Sequence, residues 1–226
     1  MRIEDQIKEC ELNLNQIKRF DPDPYYVNYF FHMFIKSVNN VYNGIFEEAN
    51  NDFGLSIRKY NKETFRKKAE EKEDQKAIEF LNWFENKITV EHKAPYPNLI
   101  KNVIEFADEF CELPKNKIMI RPKERYSDDK FLEIKVNLTN KKLRSREDLE
   151  IEIKRNMPIF LEIINHKRLL NNEPIVSSKE TTASVFTENH SGENFEISYA
   201  SEIYIPVLKR LVKESRKKIK ELTSWE

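Results

Sequence analysis

Apolar residues recur every three or four positions through much of this chain, and the run Tyr25–Leu55 carries the densest such pattern. Within it Val27, Phe30, Phe31, Phe34, Val38, Val41 and Ile45 fall on one side of a helical wheel. The aromatic bulk on that side is more than one neighbour can cover, so several helices are expected to pack against it. Pro24 suits a first helical turn, where its missing N–H is no loss. The helix is expected to end between Asn50 and Gly54. Ahead of it, Ile3, Ile7, Leu14 and Ile17, with Cys10 or Glu11 between, predict an amphipathic helix over residues 3–18, broken by the Asp21–Pro24 sequence DPDP.

Arg58–Lys76 is almost wholly charged, with Phe65 and Ala69 its few apolar marks, and reads as an exposed helix or a mobile connection. Ala77, Phe80, Leu81, Phe84 and Ile88 predict a helix that ends near Glu91–His92, ahead of Pro95 and Pro97. Another is expected from Asn98, with Ile100, Val103, Ile104, Ala107, Phe110 and Cys111 turned inward. Beyond Pro114 the period changes to two. Ile118 and Ile120 alternate with Met119 and Arg121, and Phe131, Ile134, Val136 and Leu138 follow a turn-like ERYSDD, which predicts a hairpin.

Ser145 and Asp148 imitate a capping box at the head of a helix carrying Leu149, Ile153, Met157, Phe160, Leu161 and Ile164, which Pro158 should kink or split. That element ends at Asn171–Pro174. Between Ile175 and Gly192 one short strand is expected at Ala183–Thr187, the rest being loop. A last helix runs from about Tyr199 to Leu222, with Leu208, Val212, Ile219 and Leu222 on its apolar side. The fold class is therefore mainly α, a helical bundle with a small β-hairpin insertion. Residues 1–113 make a first helical domain, and 114–226 supply the hairpin and C-terminal helices, expected to pack on the same bundle.

Composition narrows the function classes. The 226 residues carry 39 basic and 39 acidic side chains, so there is no global pull toward nucleic acid or an anionic membrane, although a local patch is compatible with neutrality. Three glycines argue against folds built on glycine-rich phosphate loops. Cys10 and Cys111 read as two ordinary thiols. No apolar run reaches the length of a membrane span and MRIEDQIKEC lacks the features of a signal peptide, so a cytoplasmic protein with no membrane association is expected.

Four histidines, His32, His92, His166 and His190, bound the candidate chemistry. None belongs to an HExxH or CxxC pattern, and no metal or cofactor is expected. His32, on the aromatic helix, reads as a half-buried residue held by a hydrogen bond, His166 as a helix-end residue facing solvent, and His190 as loop surface. His92 follows WFENKITVEH. Lys87 lies five positions before it, about 140° away around an ideal helix, so the two converge only if the helix end frays or a second chain closes over it. Adjacent acids such as Glu47–Glu48 and Asp128–Asp129 do not have the geometry of a paired-carboxylate centre.

The long aromatic helix, the acidic FEEANNDFGL at its end, the helix FLNWFENKITVEH and the prolines after it resemble the HEPN superfamily, over about residues 20–110. That resemblance implies an all-helical domain of prokaryotic defence and toxin systems, commonly a homodimer. Its metal-independent ribonuclease site sits at the dimer cleft and is formed by an arginine, a neighbouring polar residue and a histidine four to six positions on. Carried over, the histidine is His92 and the polar residue Asn86 or Asn82. The arginine has no counterpart, since Lys87 stands at the candidate position and lacks the planar fork of a guanidinium. The function expected is a HEPN-like interaction module, non-catalytic or weakly catalytic, with a second copy of the chain, RNA or a protein as partner. The alternative is a metal-independent endoribonuclease acting on single-stranded RNA through His92, Lys87 and Asn86, which must activate a ribose 2′-hydroxyl and stabilise the charged phosphorane. A second place for phosphate contact is the basic side of the last helix, Lys209, Lys213, Arg216, Lys217 and Lys220, which Glu214 and Glu221 interrupt and which no surface aromatics accompany.

Overall fold

In the computed structural model the aromatic run is one helix around which its neighbours are arranged. The structure describes residues 2–58, 61–89, 118–122, 134–136, 151, 155, 158–159, 161–162, 165–166, 168–175, 183–188 and 194–224. Among them, in chain order, are α1 (Ile3–Phe20), α2 (Pro24–Phe53), α3 (Lys62–Glu71), α4 (Gln75–Thr89), β1 (Ile118–Pro122), β2 (Ile134–Val136), β3 (Ala183–Glu188), β4 (Asn194–Glu196) and α5 (Ile197–Thr223). The described residues from 151 to 170 are helical as well, Pro158 included. The protein is a mainly helical bundle with a small antiparallel hairpin. The helix expected from Asn98, with Cys111, lies outside the described residues, as do Ser145 and Asp148.

The chain divides into two compact units. One comprises Met1–Asn15, Phe31–Cys111 and Tyr199–Glu226, the other Gln16–Phe30 and Glu112–Ser198.

The first unit is built on α2. Asp23 caps this helix, its Oδ1 accepting from the backbone N–H groups of Tyr25 at 3.0 Å and Tyr26 at 3.3 Å, with Pro24 in the first turn. Gly54, at φ +65°, ends it: Leu55 N–H donates to the Asn50 carbonyl at 3.2 Å, closing a Schellman turn. Phe31, Phe34, Val38, Val41, Ile45 and Phe46 are all buried. Around Phe46 lie the rings of Phe65 at 5.2 Å, Phe80 at 6.3 Å and Phe84 at 4.9 Å, so α3 and α4 both pack on α2. Tyr42 meets Phe84, and Phe53 meets Phe80, so residue numbers fall along α4 as they rise along α2 and the two helices are antiparallel. On another side the buried hydroxyls of Tyr42 and Tyr204 hydrogen-bond, joining α2 to α5. On α1, Ile3 sits so close to α2 that a Cβ at Gly44 would lie 2.7 Å from its Cγ1, which explains a glycine inside this helix. Cys10 is a free, fully buried thiol, its pKa pushed up to about 12 chiefly by burial.

The charged stretch after α2 is better ordered than its composition suggests. Asn61 and Thr64 form a reciprocal capping box, and α3 buries Phe65 and Ala69. It ends with Glu73 in the left-handed region at φ 52°, where Glu73 N–H donates to Glu70 O and Asp74 N–H to Ala69 O. Asp74 then caps α4 through Ala77 N–H at 3.0 Å. In α5, Pro206 stands inside the helix on an exposed position, where the lost N–H ladder bond borders solvent.

In the second unit the predicted hairpin is β1 and β2, with Ile120 opposite Ile134. The strand expected at Ala183–Thr187 is β3, which pairs with β1 on its other edge. β4, between Gly192 and Tyr199 where no element was expected, completes a four-stranded antiparallel sheet in the order β2-β1-β3-β4. Its edge is held by a polar cluster. Asp21 Oδ1 accepts from Val185 N–H at 2.9 Å, and the Ser184 hydroxyl lies 2.5 Å from Asp21 Oδ2 and 2.9 Å from Glu196 Oε1. Ser198 Oγ reaches the same Glu196 oxygen at 2.8 Å. Asp21 thus fastens the turn after α1 to β3 and, through Glu196, to the head of α5.

Two tests follow from these backbone and burial features. Gln6 is 3% exposed and neither amide atom has a hydrogen-bond partner among the described residues, so Gln6→Met should raise stability by about 1–2 kcal/mol in urea unfolding; a loss would show that a buried water satisfies the amide. Glu73→Gly removes the left-handed penalty on a side chain and should add about 1 kcal/mol by the same measurement, whereas an unchanged midpoint would show that the turn carries no such strain.

Candidate functional site

The residues singled out from the sequence lie toward the end of α4. Asn82 and Asn86, one turn apart, are exposed on a common face. Lys87 points elsewhere. Its side chain is only 20% exposed, its ammonium lies 5.8 Å from the centre of the Trp83 ring, and it sits 3.4 Å from the Glu214 carboxylate of α5. His92 lies outside the described residues. The structure therefore places Lys87 with Trp83 and Glu214, while Asn86 faces solvent beside it. A phosphate approaching Lys87 would compete with a carboxylate already in place, over an aromatic face that also favours the cation. Of the other histidines, His32 is half-buried on α2, His166 is exposed, and His190 is outside the described residues.

A second concentration of charge lies between α1 and α5. Arg216 gives Glu48 a bidentate pair, Nε at 2.8 Å and Nη2 at 2.6 Å, and turns Nη1 to Glu4 at 2.8 Å, so one guanidinium joins α5 to both α2 and α1. Two turns away, Lys209 pairs with Glu11 at 2.5 Å. Glu4 and Glu11 are seven residues apart, as are Arg216 and Lys209, so the pairs repeat every about 10.5 Å along two antiparallel helices. Lys218 with Glu79 at 2.7 Å makes a similar tie to α4. The hydrogen bonds that the Arg216 guanidinium donates to Glu48 hold it protonated beyond its usual range. Glu4 is held below its usual 4.5, first by a hydrogen bond from its own backbone N–H in the opening turn of α1, then by Arg216.

Beside these pairs runs a groove of about 730 Å³, lined by Ile7 and Val212 and by basic residues of both helices. The sequence reading found the basic side of α5 but not its acidic partners Glu4, Glu11 and Glu48. The shared spacing of seven was the signal, and it acquires meaning only once α1 and α5 are neighbours. Among the described residues no three His, Cys, Asp or Glu side chains converge as a metal site, and no helix is long and apolar enough to cross a membrane. No family model, no curated protein and no solved structure matches this chain.

The lowered Glu4 carboxyl sets a pH dependence. Its folded-state pKa lies below the unfolded one, so its contribution is present above about 4.5 and is lost as pH falls through the folded value. With a side chain 54% exposed, the pair is screened and worth at most about 1 kcal/mol. Glu4→Gln should thus be less stable than the wild type at pH 7, and the gap should close in acid and shrink in high salt. Equal unfolding midpoints at pH 7 in low salt would show the pair to be energetically silent.

Proposed function

We propose that this chain is a HEPN-like interaction module, non-catalytic or weakly catalytic, that acts as a cytoplasmic homodimer. The observation that carries the reading is the state of Lys87. It occupies the position of the motif arginine and is engaged by Glu214 of its own chain at 3.4 Å. A ribonuclease site at a dimer cleft needs a cation available to the phosphorane, and it gains most from a guanidinium fork, which lysine cannot offer. The close antiparallel packing of α2 and α4 through Phe46, Phe80 and Phe84 supports the HEPN-like arrangement of these helices over an unrelated helical domain. RNA or another protein is the partner such a module would take.

The test is cleavage of a mixed single-stranded RNA pool in EDTA by the wild type and by His92→Ala, with the mass of both measured in solution. The expected result is a folded dimeric wild type that leaves the RNA intact. Cleavage that disappears in His92→Ala while the dimer persists would overturn the proposal in favour of the metal-independent endoribonuclease, with Lys87 and Asn86 as the next residues to replace. A monomeric wild type would remove the dimer from it.

A further inference from the structure

The groove between α1 and α5 holds more positive charge than the fold uses. Its lining includes Lys8 from α1 and Lys209, Lys213, Arg216, Lys217 and Lys220 from α5, against Glu4 and Glu11. Arg216 is taken by Glu48 and Glu4, Lys209 by Glu11, and Lys217 lies 3.5 Å from Glu221. Lys8, Lys213 and Lys220 are exposed and have no carboxylate partner among the described residues. The acids interleaved on α5 do not relieve them, because Glu214 faces Lys87 and Glu221 faces Lys217. In a chain whose formal charge is zero, three unmatched ammonium groups thus gather over a floor containing Ile7 and Val212.

We propose that this groove docks an acidic amphipathic helix of a partner protein, which lays aliphatic side chains against Ile7 and the methylene stems of the lysines and carboxylates against the ammonium groups of Lys8, Lys213 and Lys220. The spacing suits such an occupant. Lys213 and Lys220 lie about 10.5 Å apart along α5, a distance that carboxylates seven residues apart on a parallel or antiparallel partner helix would reproduce. Two adjacent helices already form the trough in which a third helix seats by its i, i+3, i+4 face. The lining favours a peptide over nucleic acid on two counts. Among the described residues no aromatic side chain lines the groove to stack on a base. The guanidinium of Arg216, the group best matched to phosphate, already donates to Glu48 and Glu4. An anionic bilayer is disfavoured because Leu208, Leu211, Val212 and Ile219 are buried, so that among the described residues α5 offers no apolar face to insert. The proposal rests on the reading of the chain as an interaction module, not on its HEPN likeness.

The experiment titrates the 226-residue chain into a fluorescein-labelled synthetic helix of Glu, Leu and Ala, about 18 residues long. Control ligands are the same peptide with Gln for every Glu, an oligouridine of about 20 nucleotides, and phosphatidylcholine–phosphatidylserine vesicles. The triple variant Lys8→Ala/Lys213→Ala/Lys220→Ala removes only exposed side chains, and its circular dichroism and Tm verify the fold. The Glu peptide is expected to bind, to weaken about tenfold in the triple variant and again on raising salt, and to lose its affinity when Gln replaces Glu. Absence of binding, equal binding of the Gln peptide, or equal binding by the triple variant would overturn the proposal. So would tighter binding of the oligouridine or the vesicles that the three substitutions abolish, since that would make the groove a phosphate site. RNA cleavage dependent on His92 would instead sink the module reading while leaving a peptide-binding groove in place, so the two failures are told apart.

Discussion

Covering the aromatic face of α2 is the constraint on which the first unit depends. Phe31, Phe34, Phe46 and their aliphatic neighbours form an apolar surface too wide for one helix to bury, and leaving it open would forfeit about 1.5–3 kcal/mol per large side chain. α1 covers one side, with Ile3 pressed against Gly44. α3 and α4 bring Phe65, Phe80 and Phe84 around Phe46, and α5 closes the remaining side through Tyr204. The tyrosine pair shows how the helix accepts a polar group in this core: the hydroxyl of Tyr42 is buried with that of Tyr204, and each offers the other a partner that water would have supplied. The charged groove of the same unit is placed by this packing.

The local rules were readable from the sequence because the residues that state them are adjacent. Pro24 and Gly54 bracket α2, the period-two run from Ile118 gives β1, and Ala183–Thr187 gives β3. What sequence reading missed depends on distant partners. β4 is only Asn194–Glu196, too short to show a period, and it exists as a strand because β3 offers it a free edge. Asp21 looked like part of a helix breaker, and its main work, accepting the Val185 N–H and facing Ser184, needs residues more than 160 positions away. α3 is the exposed helix that the charged stretch allowed, and only the choice between that helix and a mobile connection needed partners distant in sequence. Phe65 reaches the ring cluster and the capping box fixes the helix start, which is enough.

The candidate site was legible by residue type and not by state. Sequence could place Lys87 on α4, but the carboxylate beside it comes from α5, more than 120 residues on. Charge balance hid the groove in the same way. A neutral total of 39 against 39 says nothing of where the surplus of one sign collects. Pairing has to be followed residue by residue before Lys8, Lys213 and Lys220 stand out from Lys209 and Arg216, which the sequence pattern put in one class with them.

The ion pairs explain why the surplus falls where it does. A helix that must dock against three neighbours needs charged residues at each boundary, and α5 uses Arg216 and Lys209 toward α1, Glu214 and Lys218 toward α4, and Arg216 again toward Glu48 of α2. Those contacts fix the rotation of α5 about its axis. Once the rotation is fixed, Lys213 and Lys220, four and eleven positions beyond Lys209, must project beside the α1 seam, whatever they do there. Structural pairing alone would be served as well by glutamine or glutamate at those two positions, because neither contributes to a tie between helices among the described residues. Like charges repeated along one helix face cost a few tenths of a kcal/mol per pair, and the bundle returns nothing for that cost. The stability of the fold therefore does not account for lysine at 213 and 220, whereas an anionic surface laid along the groove does.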